Sequence, residues 1–261
     1  MRSSWTRSLL VGLTLLAGAA PASAQDFQWR GRLAAGQAIE IKGINGDIQA
    51  GASSSGEVEV VATKSARNSN PADVRIEVVP HANGVTICAV YPTVPGRDPN
   101  TCEPGAGGKS NTKDNDTSVH FQVRVPYGVG LLAKTVNGEI NAESLQGDVN
   151  AKTVNGSIKV STTGLAMADT VNGSVNVTMG RADWPSGASF KTVNGGITLM
   201  MPSAFDAELT ADTLNGTITT DFPITVTGEV SPRRLRGTVG SGGRTLKLST
   251  VNGSIKLLRA Q

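Results

Sequence analysis

The chain has 261 residues, of which 24 are basic, 21 are acidic and only 4% are aromatic. Two of the basic residues, Arg2 and Arg7, lie in a predicted signal peptide, so the mature chain carries 22 basic residues against 21 acidic ones. A near-neutral chain has no global electrostatic attraction to nucleic acid or to anionic membranes, and we therefore expect no nucleic-acid partner. The shortage of aromatic residues predicts a thin, repetitive core of Val, Ile, Leu and Ala.

Residues 1–24 have the features of a secretory signal peptide. A short apolar stretch from Leu9 to Ala20 follows the two arginines, and Ala22-Ser23-Ala24 supplies the small residues that signal peptidase recognises. The apolar stretch is too short to cross a bilayer, which takes about 20 residues. We predict cleavage after Ala24, a periplasmic, secreted or cell-surface location, and no transmembrane segment in the mature chain.

Residues 25–130 are predicted to form a β part that is less regular than the rest. Alternation of apolar and polar residues predicts strands, and Asn83-Gly84 is typical of a hairpin turn. The predicted segments are 38–50 (with a motif-like Asn45-Gly46), 57–62, the hairpin pair 73–79 and 85–91, and 118–126.

A long segment rich in Pro, Gly, Asn and Asp, Pro92 to Thr117, separates the hairpin from the next strand. Its composition predicts a loop, and its length indicates either a functional loop or a loosely ordered one. Cys88 and Cys102 are the only two cysteines, and in an exported chain they predict one disulfide, which would close this excursion. In the chain-entropy model such a loop of about 15 residues stabilises the fold by roughly 3 kcal/mol.

Residues 131–261 repeat the phrase Thr-Val-Asn-Gly-x-Ile. Successive threonines are 18, 17, 22, 21 and 37 residues apart, and we read Arg234–Val239 as a degenerate copy inside the last, double gap. The residues assigned to the repeat, with the N-terminal copy, are Asn45, Gly46, Thr135, Asn137, Gly138, Thr153, Asn155, Gly156, Thr170, Asn172, Gly173, Thr192, Asn194, Gly195, Thr213, Asn215, Gly216, Thr250, Asn252 and Gly253.

Two folds compete for this repeat. Asn-Gly between alternating runs is a strong hairpin signal, which would give an antiparallel meander or sandwich. One motif every 16 to 22 residues instead favours a solenoid in which Asn-Gly forms a corner of each coil and like residues stack. We predict an all-β fold, a single right-handed parallel β-solenoid with a less regular N-terminal part, residues 25–261 forming one continuous domain.

The solenoid prediction specifies which side chains are buried. Val154, Val171, Val193 and Leu214 should form one buried column, and Ile158, Val175, Ile197 and Ile218 another. The motif threonines and asparagines should hydrogen-bond to their own copies in the coils above and below, about 4.8 Å away.

The order of these motifs resembles a known family. Ile44-Asn45-Gly46-Asp47-Ile48, then Val123 to Val129, and then serial Thr-Val-Asn-Gly copies are similar to the putative-adhesin β-strand-repeat family of bacterial exported proteins, over roughly residues 35–258. The resemblance implies a β-helical fold and a location outside the cytoplasm. It supplies no catalytic residues.

Catalytic and metal-binding motifs are scarce. Asp148, Asp169 and Glu139 are the carboxylates that a β-helical polysaccharide lyase or hydrolase would need, but they occupy different slots of the repeat. Asp114-Asn115-Asp116-Thr117 lacks the glycine and the distal glutamate of an EF-hand loop. The histidines, His81 and His120, belong to no catalytic motif. We expect no cofactor and no metal.

The function predicted from the sequence is a non-enzymatic exported scaffold, an adhesin or an envelope-associated binding protein whose ligand is a surface glycan or protein. A carbohydrate-active β-helix enzyme and an envelope-stress accessory or sensing protein are the alternatives. Glycan platforms use exposed aromatic side chains, and Trp29, Tyr91, Tyr127 and Trp184 show no repeat spacing.

Overall fold

A computed structural model of the protein describes residues 27–226 and 231–260, so the predicted cleavage site at Ala24 lies outside the described residues. The described residues form 21 strands and one short 3-10 turn, Pro71–Asp73, and the prediction of an all-β chain is confirmed. The strands are β1 (Phe27–Gly31), β2 (Ala38–Lys42), β3 (Ile48–Ala52), β4 (Val58–Ser65), β5 (Arg75–His81), β6 (Gly84–Val90), β7 (Ser118–Val125), β8 (Gly130–Lys134), β9 (Ile140–Leu145), β10 (Val149–Lys152), β11 (Ile158–Thr162), β12 (Ala166–Asp169), β13 (Val175–Met179), β14 (Ala188–Lys191), β15 (Ile197–Met201), β16 (Ala207–Asp212), β17 (Ile218–Thr220), β18 (Ile224–Val226), β19 (Arg234–Val239), β20 (Thr245–Ser249) and β21 (Ile255–Arg259).

The strands form two mixed sheets. The first has the order β1-β4-β7-β3-β9-β11-β13-β15-β21-β17, and the second has the order β18-β19-β16-β20-β14-β12-β10-β8-β2-β6-β5. Pairs in the middle of each sheet are parallel, as between β11 and β13 or β10 and β12. Antiparallel pairs occur towards the ends, as between β1 and β4 or β18 and β19, but the first sheet ends on its other side with the parallel pair β21 and β17. The two sheets therefore do not form the solenoid of exclusively parallel strands that was predicted.

Each motif copy is a corner at which the chain passes from the second sheet to the first. Neighbouring asparagines form parallel bridges, for example Asn155 with Asn172 and Asn172 with Asn194. No described residues pair in antiparallel fashion across the Asn-Gly corners, which makes the hairpin interpretation of the repeat wrong. The hairpin predicted in the N-terminal part is confirmed, because β5 and β6 pair in antiparallel fashion.

The spatial order of the coils differs from the sequence order at both ends. The last copy, β20 with β21, lies between the β14–β15 coil and the β16–β17 coil, and the first copy, β2 with β3, lies between β6–β7 and β8–β9. The prediction that Arg234–Val239 is a degenerate copy is wrong, because this segment is β19 and runs antiparallel to β16. No Asn-Gly corner follows it, and Gly240, with φ of 59°, begins a turn instead.

The corner buries threonine and leaves valine outside, which corrects the predicted columns. The six motif threonines are 1–7% exposed, whereas Val154, Val171 and Leu214 are 37–60% exposed and Val193 is half-buried. Each threonine hydroxyl donates to the carbonyl of the motif glycine in the adjacent coil, at 2.8–3.1 Å, rather than to another threonine. A buried hydroxyl with such a partner is tolerated, so threonine can point inward.

Two other predictions for the coils agree with the structure. The column containing Ile158, Val175 and Ile197 is fully buried, and Ile218, in the terminal coil, is half-buried. The motif asparagines do bond to their own copies: in each pair the side-chain Nδ2 donates to Oδ1 of the adjacent coil at 2.7–2.8 Å. We call this continuous chain of seven residues, from Asn45 to Asn215, the asparagine ladder.

Candidate binding groove

The outer face of the second sheet carries a row of three neighbouring side chains, two of which are apolar. Leu132 of β8, Asn150 of β10 and Met167 of β12 are neighbours in the strand register. Strand residues alternate between the two faces, and the residues beside these three are buried in the core. Met167 is 38% exposed and Leu132 is half-buried, so apolar surface faces outward here.

Corner loops that return the chain from the first sheet to the second flank this row and form a groove. The groove has a volume of about 680 Å³, within the range of roughly 300–1,000 Å³ that is usual for small-ligand sites. Its floor is the row Leu132, Asn150 and Met167. Its rim includes Tyr127, which is 77% exposed, and Trp184, which is 2% exposed.

Two polar atoms at the groove lack a hydrogen-bond partner among the described residues. They are Oδ1 of Asn150 and Nε1 of Trp184, and both are inaccessible to solvent. A buried donor or acceptor without a partner costs about 1–3 kcal/mol. An acceptor and a donor therefore lie beside the groove with their hydrogen-bonding capacity unused.

The charged side chains at the groove are engaged with one another or with the backbone. Asp148 Oδ1 accepts from the Leu165 N–H at 2.9 Å, which fixes one corner loop on the next. Arg181 donates to both carboxylate oxygens of Asp183, at 3.0 and 2.7 Å. This hydrogen-bonded pair raises the pKa of Arg181 and lowers that of Asp183. Arg181 and Asp183 cancel each other's charge, and the groove is left with the one negative charge of Asp148, which opposes the binding of an anion.

The row of side chains that forms the floor continues beneath the loop Pro92–Thr117. There the next residue in the row is a buried, charged one, Glu40. Glu40 pairs in register with Leu132 and is 3% exposed. Its carboxylate accepts from Lys134 Nζ at 2.6 Å, from the Gly105 N–H at 2.8 Å and from the Thr86 hydroxyl at 2.8 Å. Burial opposes ionisation, but these hydrogen bonds and the charge of Lys134 outweigh it, and the pKa of Glu40 lies below its usual value.

The same loop is fixed to the sheet at several points. The predicted Cys88–Cys102 disulfide is present, with the two Cα atoms 5.7 Å apart. Lys134 Nζ also donates to the Gly105 carbonyl at 2.7 Å, and Lys42 Nζ donates to the Gly107 carbonyl at 3.1 Å. The loop therefore covers the charged part of the row and separates it from the apolar groove.

Asp116, at the end of this loop, binds the backbone that follows β4. Its carboxylate accepts from the N–H groups of Arg67, Asn68 and Ser69 at 2.9–3.2 Å. The hydrogen bonds from Ser69 are the largest cause of a pKa lowered from 3.8 to about 2. A carboxylate whose pKa is lower in the folded state stabilises the fold above its unfolded pKa and loses that effect as the pH falls.

We therefore expect Asp116→Asn to lower the melting temperature at neutral pH and to have progressively less effect as the pH falls from 3.8 towards 2. As the wild-type carboxyl becomes protonated it loses its charge-assisted hydrogen bonds, which the asparagine variant lacks at every pH, and the two proteins become alike. Thermal unfolding of both proteins across this pH range checks the prediction. A difference in melting temperature that does not change with pH would contradict it.

The residues singled out from the sequence do not come together. Asp148 precedes β10 whereas Asp169 ends β12, so they lie at opposite ends of the strands of the second sheet, and Glu139 lies beyond a corner, before the first sheet. His81 and His120 contact Thr86 and Asp47 respectively. Within residues 27–226 and 231–260, no group of three or more His, Cys, Asp or Glu residues could hold a metal ion.

Sequence reasoning missed the floor of the groove, although a signal was present. Leu132, Asn150 and Met167 each lie three residues before a motif threonine, in a slot that faces outward. Two large apolar residues in this outward slot, Leu132 and Met167 on either side of Asn150, indicate a surface that is not simply solvated. Of the four aromatic residues considered for glycan binding, Tyr127 is the large exposed one, and Tyr91 and Trp184 are buried.

Comparison with known proteins finds similar structures at low sequence identity. A putative cell adhesion protein from Clostridium sporogenes shares 10% identity over 90% of this chain and 100% of its own, with a TM-score of 0.46. Putative adhesins from Bacteroides fragilis (12% identity, 91% and 98% covered, TM-score 0.38) and Parabacteroides merdae (15% identity, 90% and 96% covered, TM-score 0.21) are also similar. No protein family and no curated protein matches the chain. Among the described helices, none has the length and apolar character needed to span a membrane.

Proposed function

We propose that the protein is a non-enzymatic scaffold, exported to the periplasm or cell surface, that binds a surface glycan in the groove over β8, β10 and β12. The parallel coils act as a right-handed β-solenoid, with the irregular part (residues 25–130) and the regular coils (131–261) forming one continuous domain. A disulfide between Cys88 and Cys102 supports a compartment outside the cytoplasm, because such bonds persist in oxidising environments.

The observation that carries the proposal is the composition of the groove. Leu132 and Met167 provide apolar surface, Tyr127 provides an exposed ring, and Asn150 places a side-chain amide in the floor between them. A sugar ring presents an apolar C–H face together with hydroxyls that donate and accept. The face packs on the apolar and aromatic side chains, and the hydroxyls suit amide and carboxylate groups.

The small net charge of the groove, one negative charge at Asp148, favours an uncharged oligosaccharide over an acidic one as the ligand. Arg181 and Asp183 neutralise each other, and Asp148 is bound to the backbone of the next coil. A volume of about 680 Å³ has room for a few sugar units rather than for a folded partner. Successive floor residues lie about 4.8 Å apart, the spacing of hydrogen-bonded strands, so the groove runs along the stack of coils.

The test is to screen the mature protein against a panel of neutral and acidic oligosaccharides and against extended peptides, scoring both binding and cleavage. For a binding glycan, Tyr127→Ala should weaken affinity about three- to tenfold, because an aromatic contact contributes about 0.5–1.5 kcal/mol beyond its buried area. Leu214→Ala is the matched control, since Leu214 is 60% exposed at a corner outside the groove.

Three outcomes would overturn this proposal. Selective binding of peptides would assign the groove to a protein ligand, and cleavage of a glycan would make the chain an enzyme. Equal loss of affinity in Tyr127→Ala and Leu214→Ala would place the glycan elsewhere on the surface. Circular dichroism of each variant confirms that the fold is intact before affinities are compared.

A further inference from the structure

The asparagine ladder contains a dipeptide that is chemically reactive in most contexts. In Asn-Gly the backbone nitrogen of glycine can attack the side-chain carbonyl carbon of asparagine, because glycine has no side chain to hinder the approach. The chain has eight Asn-Gly dipeptides, seven in the ladder and one at the β5–β6 turn. Their reactivity depends on whether the structure leaves the glycine N–H and the asparagine amide free.

In six of the seven ladder copies both reacting groups, the glycine N–H and the asparagine side-chain amide, are hydrogen-bonded to the adjacent coil. The glycine N–H donates to the asparagine carbonyl of the adjacent coil at 2.9–3.0 Å, as Gly156 does to Asn172. The asparagine amide accepts from the adjacent coil through its Oδ1, as Asn155 does from Asn172 at 2.7 Å. Ring closure would require the glycine nitrogen to lose its proton and the amide to rotate, so both hydrogen bonds must break first.

The seventh copy, Asn215-Gly216, stands at the end of the ladder and differs in both respects. Asn215 donates to Asn252 at 2.8 Å, but no residue within 27–226 or 231–260 donates to its Oδ1, and Gly216 N–H has no acceptor there. The neighbouring backbone, Pro232 and Arg233, bonds to the residues on either side of the Asn215-Gly216 corner and not to the corner itself. The Arg233 and Pro232 carbonyls accept from Thr213 and Ile218, on either side of it.

We propose that Asn215 is a site of spontaneous deamidation and that the rest of the ladder is protected. The Gly216 nitrogen, after losing its proton to solvent base, bonds to Cγ of Asn215. The Cγ–Nδ2 bond breaks and the amide nitrogen leaves as ammonia after taking a proton from water. Water then opens the cyclic imide to aspartate or isoaspartate. Neither product can donate to Asn252 Oδ1, so the last bond of the ladder is lost.

The test is peptide mapping by mass spectrometry of the mature protein during incubation at mildly alkaline pH, folded and in denaturant. The rate in the unfolded chain divided by the rate in the folded chain gives a protection factor for each Asn-Gly, which removes the influence of local sequence. Asn215 keeps only the hydrogen bond to Asn252, whereas Asn155 and Asn172 must also break the bonds at Oδ1 and at the glycine N–H. We therefore expect the protection factor of Asn215 to be about tenfold or more below those of Asn155 and Asn172.

Two results would overturn the inference. Protection of Asn215 equal to that of Asn155 and Asn172 would show that the end of the ladder is as closed as its middle. Unprotected Asn155 and Asn172 in a protein that remains folded would show that the inter-coil hydrogen bonds do not control the reaction. The inference does not rest on the proposed glycan binding, and neither result bears on it.

Discussion

Replacing Ile197 by aspartate is expected to destabilise the fold more than any other single change considered. Ile197 is fully buried between Val175 and Ile255, its register partners in the adjacent coils. A carboxylate in this position has no cationic partner, and its burial costs several kcal/mol. Domains of ordinary stability have only about 5–15 kcal/mol in total, so the variant should be unfolded or close to unfolding. Urea unfolding followed by circular dichroism measures the change.

Val193→Asp is the matched control, four residues earlier in the same copy. Its side chain is half-buried on the outer side of the corner, where water can solvate the carboxylate. We expect a loss of less than about 1 kcal/mol, in the range of surface substitutions. If Val193→Asp proved the more damaging of the two, the assignment of inward and outward positions at the corner would be wrong.

Gly156→Ala is expected to force two coils apart. A Cβ atom at Gly156 would lie 2.0 Å from the carbonyl oxygen of Gly138 and 2.5 Å from its carbonyl carbon. These are backbone atoms and cannot move aside, so the coils must separate and weaken the Asn155–Asn137 and Thr153–Gly138 hydrogen bonds. Overpacking of a well-packed core costs about 1–3 kcal/mol, and we expect a loss at or above the upper end of that range. Denaturant unfolding measures it.

Gly130→Ala serves as the control for this substitution. Its added Cβ would lie 3.4 Å from the Ala38 Cβ and 3.4 Å from the Asp148 carbonyl oxygen, which is ordinary contact. Alanine also restricts the unfolded chain, so the stability should change by less than about 1 kcal/mol in either direction. Equal losses in the two variants would mean that loss of glycine itself, rather than contact between coils, governs the effect.

Local pattern was enough to predict the strands, the corners and the disulfide. Alternation of apolar and polar residues reports on a strand directly, because successive side chains point to opposite faces. Recurrence of Asn-Gly beside the same threonine distinguished stacked corners from hairpins, and the parallel bridge between Asn155 and Asn172 agrees with that interpretation. The Cys88–Cys102 disulfide was predicted from the number of cysteines and from the expectation of export.

The groove could have been found only by aligning the copies, since its floor residues are 17 or 18 positions apart. Leu132, Asn150 and Met167 share the slot three residues before the threonine, and stacking of coils brings them together. Its rim comes from loops of different lengths. No periodic pattern places Tyr127 and Trp184 beside that floor.

The sequence by itself determined the composition of each coil: two short strands, an Asn-Gly corner and the apolar residues that face the core. Tertiary structure alone decided which coils are neighbours and which corner side chain points inward. Thr192 is buried because its hydroxyl donates to the Gly173 carbonyl at 2.8 Å, in a coil 19 residues away. Val193, whose hydrophobicity predicted the opposite, stays half-exposed. Burying a hydroxyl without a partner costs free energy, and for the motif threonines the neighbouring coil supplies that partner.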